Sequence, residues 1–240
     1  MKKLNEYINE ALKLGKGSRK RYCPETKIEL QHLIMDRFNE GDGNNYEMDL
    51  NDINTSHITD MSGIFGGFKV NDITKLKPNV SEWDVSNVTD MTSMFDGCEK
   101  FNCDLSKWNV SKVEDMSLMF RFCREFEGKG LDKWNTNNLK TCFKTFNGCK
   151  KFDVNLSNWN MEKVTTTEEM FAWCIIYTGK GIENWNVSKV EDGEWMFYKC
   201  KELNVNLSKW KFSNINSMVS MDDVVIESGI YKKAEYYPKL

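Results

Sequence analysis

Apolar residues return along this chain in columns. Between Leu105 and Cys123 the apolar positions are Leu105, Trp108, Val110, Val113, Met116, Leu118, Met119, Phe120, Phe122 and Cys123, and polar residues fill most of the remainder. The order repeats in the neighbouring segments. Trp83, Trp108, Trp134, Trp159, Trp185 and Trp210 mark it, with gaps of 25, 26, 25, 26 and 25 residues. Twelve residues after the first five lie Phe95, Phe120, Phe146, Phe171 and Phe197; fifteen after lie Cys98, Cys123, Cys149, Cys174 and Cys200. A repeat this short cannot bury its own apolar face and must stack on its neighbours.

Two shorter periods coexist within each unit. Trp108 and Val110 alternate with Lys107 and Asn109, which predicts a short strand. Val113, Met116, Met119 and Phe120 fall at i, i+3, i+6 and i+7, which predicts a two-turn helix. Ser111 and Asp115 sit where helix starts favour side-chain oxygens and negative charge. The expected rung is therefore one short parallel strand and one short helix per 25–26 residues, in an α/β stack with helices opposite the sheet. Every second gap carries Gly128-Lys129-Gly130 or Gly179-Lys180-Gly181, where glycine supplies positive φ for the extra residue.

The ends differ from the middle. Leu50, Ile53, Thr55, Ile58, Met61, Ile64 and Phe65 form a degenerate rung with Ile53 in the tryptophan column. Before it, Glu25 to Phe38 predicts a capping helix with Pro24 in its first turn. The expected division is residues 1–21, an amphipathic helix (Leu4, Ile8, Ala11, Leu12) with a basic link; 22–49, an N-terminal helical cap and loop; 50–220, the array; and 221–240, a C-terminal cap.

Charge and chemistry narrow the function. Thirty-three Lys and Arg against 36 Asp and Glu give a formal −3, which is no basic footprint for nucleic acid. The basic cluster is Lys16, Arg19, Lys20 and Arg21. No apolar run approaches the length of a membrane span, and no secretory signal is legible; the expected location is the cytoplasm or a virion. His32 and His57 lack partners at a metal-ligand spacing. Asp42-Gly43-Asn44 begins like a calcium loop, but Ile53 stands where a glutamate is needed. The cysteine column reads as a reduced packing ladder. The N-x-S/T triplets at Asn79, Asn87, Asn109, Asn155, Asn186 and Asn206 read as by-products of the repeat. Neither catalytic residues nor a cofactor or metal site is expected.

The unit W-D-V-S-N-V-T-D-M-T-S-M-F-D-G-C, Trp83 to Cys98, resembles the BspA-like leucine-rich-repeat family of bacterial surface proteins and mycoplasma lipoprotein-associated repeats. The resemblance spans about residues 25–222. It implies a leucine-rich-repeat solenoid used for binding or adhesion. Met1 to Ala11 is similar to the leader helices of internal head proteins in T-even-type phages, which are cut after an I/L-x-E triplet; Ile8-Asn9-Glu10 fits. This second resemblance implies a phage-encoded chain.

Two surfaces compete for a partner. One is the regular row Lys107, Asn109, Lys133, Asn135, Asn160, Asn186, Lys209 and Lys211. The other breaks the repeat: Phe122 and Trp173 share a column with Gly97 and Gly148, Trp195 shares one with Ser93, Leu118, Lys144 and Glu169, and Tyr198 replaces Asp96 and Asn147. Phe143 replaces Thr92 and Ser117. Clustered aromatics on adjacent rungs mark a candidate binding patch. Phe122, Trp173, Trp195 and Tyr198 are therefore the expected partner-binding residues. The expected function is a non-enzymatic protein-binding module for a host or viral protein; the alternative is a structural virion or internal head protein targeted by its N-terminal helix.

Overall fold

The computed structural model describes residues 22–40, 46–66, 68–212 and 224–238. The amphipathic leader and basic link of 1–21, the Asp42-Gly43-Asn44 turn, and 221–223 with 239–240 at the C-terminus lie outside the described residues.

The α/β solenoid expectation is overturned. Among the described residues there are two α-helices, α1 (Lys27–Asn39) and α2 (Val70–Ile73), and two single 3-10 turns, at Leu131–Lys133 and Ala234–Tyr236. Among the described residues no β-strand and no sheet forms. The tryptophan segments are not strands, and the Val113–Phe120 stripe is not a helix. The rungs are built from turns. Parallel pairing between them is reduced to single bridges: one column joins Asp60 with Asp90, Asp90 with Asp115, Asp115 with Thr141, Thr141 with Thr166, and Thr166 with Asp192, and near the N-terminal end Tyr22 bridges Ile53 and Asp49 bridges Asn79.

The backbone hydrogen bonds give the reason. Within the expected helix, the N–H groups of Met116, Leu118, Phe120 and Phe122 donate to Thr141, Phe143, Thr145 and Asn147 of the next rung. Those of Met119, Arg121 and Cys123 donate three residues back, to Met116, Leu118 and Phe120. Alternate amides thus close tight turns or tie rungs together, and none is left for an i→i−4 ladder. Leu118 and Phe122 have φ of 61° and 60°, outside any right-handed helix.

Side chains hold these turns. Asp104 Oδ1 accepts from Ser106 N–H, Asn109 Oδ1 from Ser111 N–H and Asp115 Oδ1 from Ser117 N–H. These Asx turns bracket Trp108–Val110 and leave no length for a strand. Equivalent turns start at Asn79, Asn155, Asn186 and Asn206. The repeated N-x-S signature is therefore turn chemistry. Gly130, at φ 97°, sits where a Cβ would run into the Ser106 backbone.

The columns themselves are interior. The six column tryptophans, the five phenylalanines and the cysteines are buried, as are Ile53, Thr55, Ile58, Met61, Ile64 and Phe65. Phe120 stacks on Phe95 and Phe146 with centroids 5.7 Å apart, and Trp108 lies parallel to Trp134 at 6.3 Å. Offset aromatic stacking adds to the area buried. Each indole N–H donates to a carbonyl one rung earlier: Trp83 to Leu50, Trp108 to Val80, Trp134 to Leu105. The buried polar edge of tryptophan is satisfied in this way.

Helix α1 packs on the first rung. Leu30, Ile34 and Phe38 are its buried residues, and Thr26 caps it by accepting from Glu29 N–H. Lys27 reaches Asp60, Gln31 reaches the Gly63 carbonyl and Arg37 pairs with Asp52. Ile28 faces outward, 64% exposed. At the other end, Phe197 N–H donates to Val224 and Leu207 N–H to Tyr236, so residues 224–238 lie along the last rungs.

Candidate functional site

Each rung turns through two left-handed positions. The first holds Ser93, Leu118, Lys144, Glu169 and Trp195; the second holds Gly97, Phe122, Gly148, Trp173 and Lys199. All ten have positive φ. This geometry carries the flanking residues along one wall of the stack, tied by the bonds Phe122 N–H to Asn147, Gly148 N–H to Ala172 and Trp173 N–H to Tyr198.

Three of the four sequence-predicted residues are exposed on this wall: Phe122 at 43%, Trp173 at 43% and Trp195 at 44%. Tyr198 is half-buried. It sits between the tryptophans, edge-on to Trp173 at 5.6 Å and tilted against Trp195 at 6.0 Å. Phe122 stands apart, two rungs earlier. Its ring lies over Gly148, where an added Cβ would come within 2.7 Å of the ring. Ile176, 42% exposed, was missed by sequence reasoning. Its signal was present: its column otherwise holds Lys100, Glu125, Lys151 and Glu202. Phe143 is half-buried, with the Lys144 ammonium 4.7 Å from its ring centroid.

The wall has a charge pattern. The Lys199 ammonium lies 4.3 Å from the Trp173 ring centroid and 5.0 Å from that of Tyr198, a cation–π arrangement. Hydrogen bonding to Tyr198 and the nearby Glu227 carboxylate hold Lys199 above the usual lysine range. Lys144 pairs with Glu169 at 3.1 Å, and Asn147 Nδ2 donates to the same carboxylate at 2.7 Å. Glu168 is pushed above the usual carboxylate range, first by burial and then by repulsion from Asp192, Glu169 and Glu194, against the pull of Lys144. Negative charge is thus in excess beside the aromatics.

Six members of the competing row are engaged by neighbouring residues. Asn109, Asn135, Asn160 and Asn186 each accept from the N–H two residues on. Lys107 pairs with Glu82, and Lys209 donates to Asn184. The cysteine column is likewise internal. Cys123, Cys149, Cys174 and Cys200 donate to the carbonyls of Phe95, Phe120, Phe146 and Phe171. The five cysteines of the column are free thiols, and burial pushes them well above the usual thiol range, which makes them unreactive.

Among the described residues no group of three or more His, Cys, Asp or Glu is placed to hold a metal ion. No helix among them is long and apolar enough to cross a membrane.

A family model described as "Mycoplasma protein of unknown function, DUF285" matches the chain twice, over residues 34–146 and 119–226. No curated protein matches, and no solved structure matches.

Proposed function

The chain belongs to this Mycoplasma repeat family of unknown function, and from that premise we propose that it is a non-enzymatic protein-binding module whose contact surface is the aromatic wall. The observation that carries the reading is conformational. Phe122 and Trp173 are bulky side chains at φ 60° and 64°, in a column where two sister rungs use glycine. A left-handed conformation costs a non-glycine residue about 1–2 kcal/mol, and 43% of each of these residues still stays open to solvent. Strain of this kind, kept on an accessible surface, supports a functional origin. Trp and Tyr are also the side chains that anchor interfaces.

The alternative, a virion component directed by residues 1–14, has only the Ile8-Asn9-Glu10 triplet in its support. The test is a capture experiment with the full chain as bait in lysate of the producing organism and its host. Trp173→Ser with Trp195→Ser is expected to abolish capture of the recovered partner while the melting temperature stays near wild type. Undiminished capture by that double variant, with wild-type stability, removes the wall as the contact surface.

A further inference from the structure

Three aromatic side chains of the wall have a cation on the ring face, supplied each time by the chain neighbour. The Arg121 guanidinium lies 5.3 Å from the centroid of Phe122, the Lys144 ammonium 4.7 Å from that of Phe143, and the Lys199 ammonium 5.0 Å from that of Tyr198. Lys199 also serves Trp173, at 4.3 Å. A carboxylate holds each cation: Asp96 holds Arg121 at 2.6 Å, Glu169 holds Lys144 at 3.1 Å and Glu227 holds Lys199 at 3.6 Å. Ring, cation and carboxylate thus recur as one unit, in which ring face and carboxylate attract the same charge.

Trp195 departs from this pattern in sign. It is 44% exposed, and among the described residues no cation lies against its ring. Its chain neighbours are Glu194 and Met196, so a carboxylate stands where the other units place Arg or Lys. Lys144 is engaged by Glu168 and Glu169, whereas Glu194 makes no ion pair among the described residues. We infer that Trp195 and Glu194 are the ring and the carboxylate of a fourth unit, whose cation is an arginine of the protein partner. The inference rests on the reading of the wall as a binding surface and names the chemistry of what binds there. Arginine fits better than lysine on two counts. Its planar guanidinium stacks on an indole while its edge donates to a carboxylate, and it is more weakly hydrated than an ammonium, so it loses less on leaving water. Trp and Arg are also both enriched where interface energy concentrates.

The test uses the full chain and a small probe, N-acetyl-arginine methylamide, which has one guanidinium and uncharged ends. Its citrulline counterpart has the same shape without the charge. The readout is the set of indole N–H resonances of isotope-labelled protein. The six column indoles donate to carbonyls inside the stack, Trp173 and Trp195 are the exposed pair, and Trp195→Ser identifies the second signal. The expected result is a saturable shift of the Trp195 signal by the arginine probe, with binding about five-fold or more weaker for the citrulline counterpart. Glu194→Gln should weaken the arginine probe about three-fold or more. Glu194→Lys, which copies the cation-beside-ring order of the sister units, should abolish the shift. Equal binding of the arginine and citrulline probes, tighter binding of the lysine counterpart, or no Trp195 shift at any soluble concentration each overturns the inference on the wild-type chain alone. So does a shift that Glu194→Gln leaves unchanged while the other indole signals keep their wild-type positions. Those results leave the capture experiment standing. A capture that survives Trp173→Ser/Trp195→Ser removes the wall as the contact surface, and this inference with it.

Discussion

Tyr177 stands in a column that otherwise holds Phe101, Phe126, Phe152 and Leu203. Its ring is fully buried, stacked 4.4 Å from Phe171 and 5.5 Å from Phe152. Among the described residues its hydroxyl has no hydrogen-bond partner, and burial pushes its ionisation well above the usual tyrosine range. A buried hydroxyl left unpaired costs about 1–3 kcal/mol. Deleting it forfeits the dispersion contacts of one oxygen, a few tenths of that. Tyr177→Phe should therefore stabilise the array by about 1–2 kcal/mol, raising the melting temperature by about 2–8 °C for a chain of this size. Urea melts followed by circular dichroism give the same quantity as a shift in midpoint at constant slope. Phe152→Tyr, one rung earlier, should move stability in the opposite direction. A Tyr177→Phe variant that melts below wild type refutes the reasoning, because the hydroxyl must then have a partner worth keeping.

Trp134→Ala or Phe146→Ala removes a central member of a stacked column and should cost about 3–5 kcal/mol, measured as a cooperative loss in a denaturant melt. Cys149→Ala should stay folded with a loss of about 1–2 kcal/mol, since the Phe120 carbonyl keeps its bond from Cys123 N–H; mass spectrometry in non-reducing buffer should find every cysteine as a thiol. Trp173→Gly should change stability by no more than about 1 kcal/mol, because glycine already serves that position in sister rungs. Acid should unfold the chain progressively from about pH 4 downward: Asp104, held at about 2 by Lys129 and the Ser106 turn, and Asp84, Asp60 and Asp153, also lowered, take up protons later in the folded state than in the unfolded one. Glu168, shifted upward, works in the other sense and offsets a part of that loss; the midpoint in urea against pH reads the balance.

What was legible in the sequence and what was not have a common physical cause. Burial recurs at every rung, so the columns of Trp, Phe, Leu and Cys stand out from spacing alone. The element that produces a column is a different matter. Successive tight turns closed by i→i−3 bonds return a residue to the same side every three positions. Val113, Met116 and Met119 follow that interval, which a short window does not separate from the 3.6 of a helix. The discriminating signal lay in the polar residues. Asp104-Leu-Ser106, Asn109-Val-Ser111 and Asp115-Met-Ser117 place three acceptor side chains two residues before an N–H within a dozen residues, and side chains of that kind compete with helix and strand for the backbone. With three such turns in a rung of 25 residues, no segment between them is long enough for either. The candidate wall was legible for the converse reason: Phe122, Trp173 and Trp195 break columns that the core does not need them to fill. Their exposure follows from backbone torsions near φ +60°, which point a side chain away from the stack. That sign is invisible in composition, although Gly97 and Gly148 in the same column were its mark, and Ile176 in a column of charges was a second mark of the same kind.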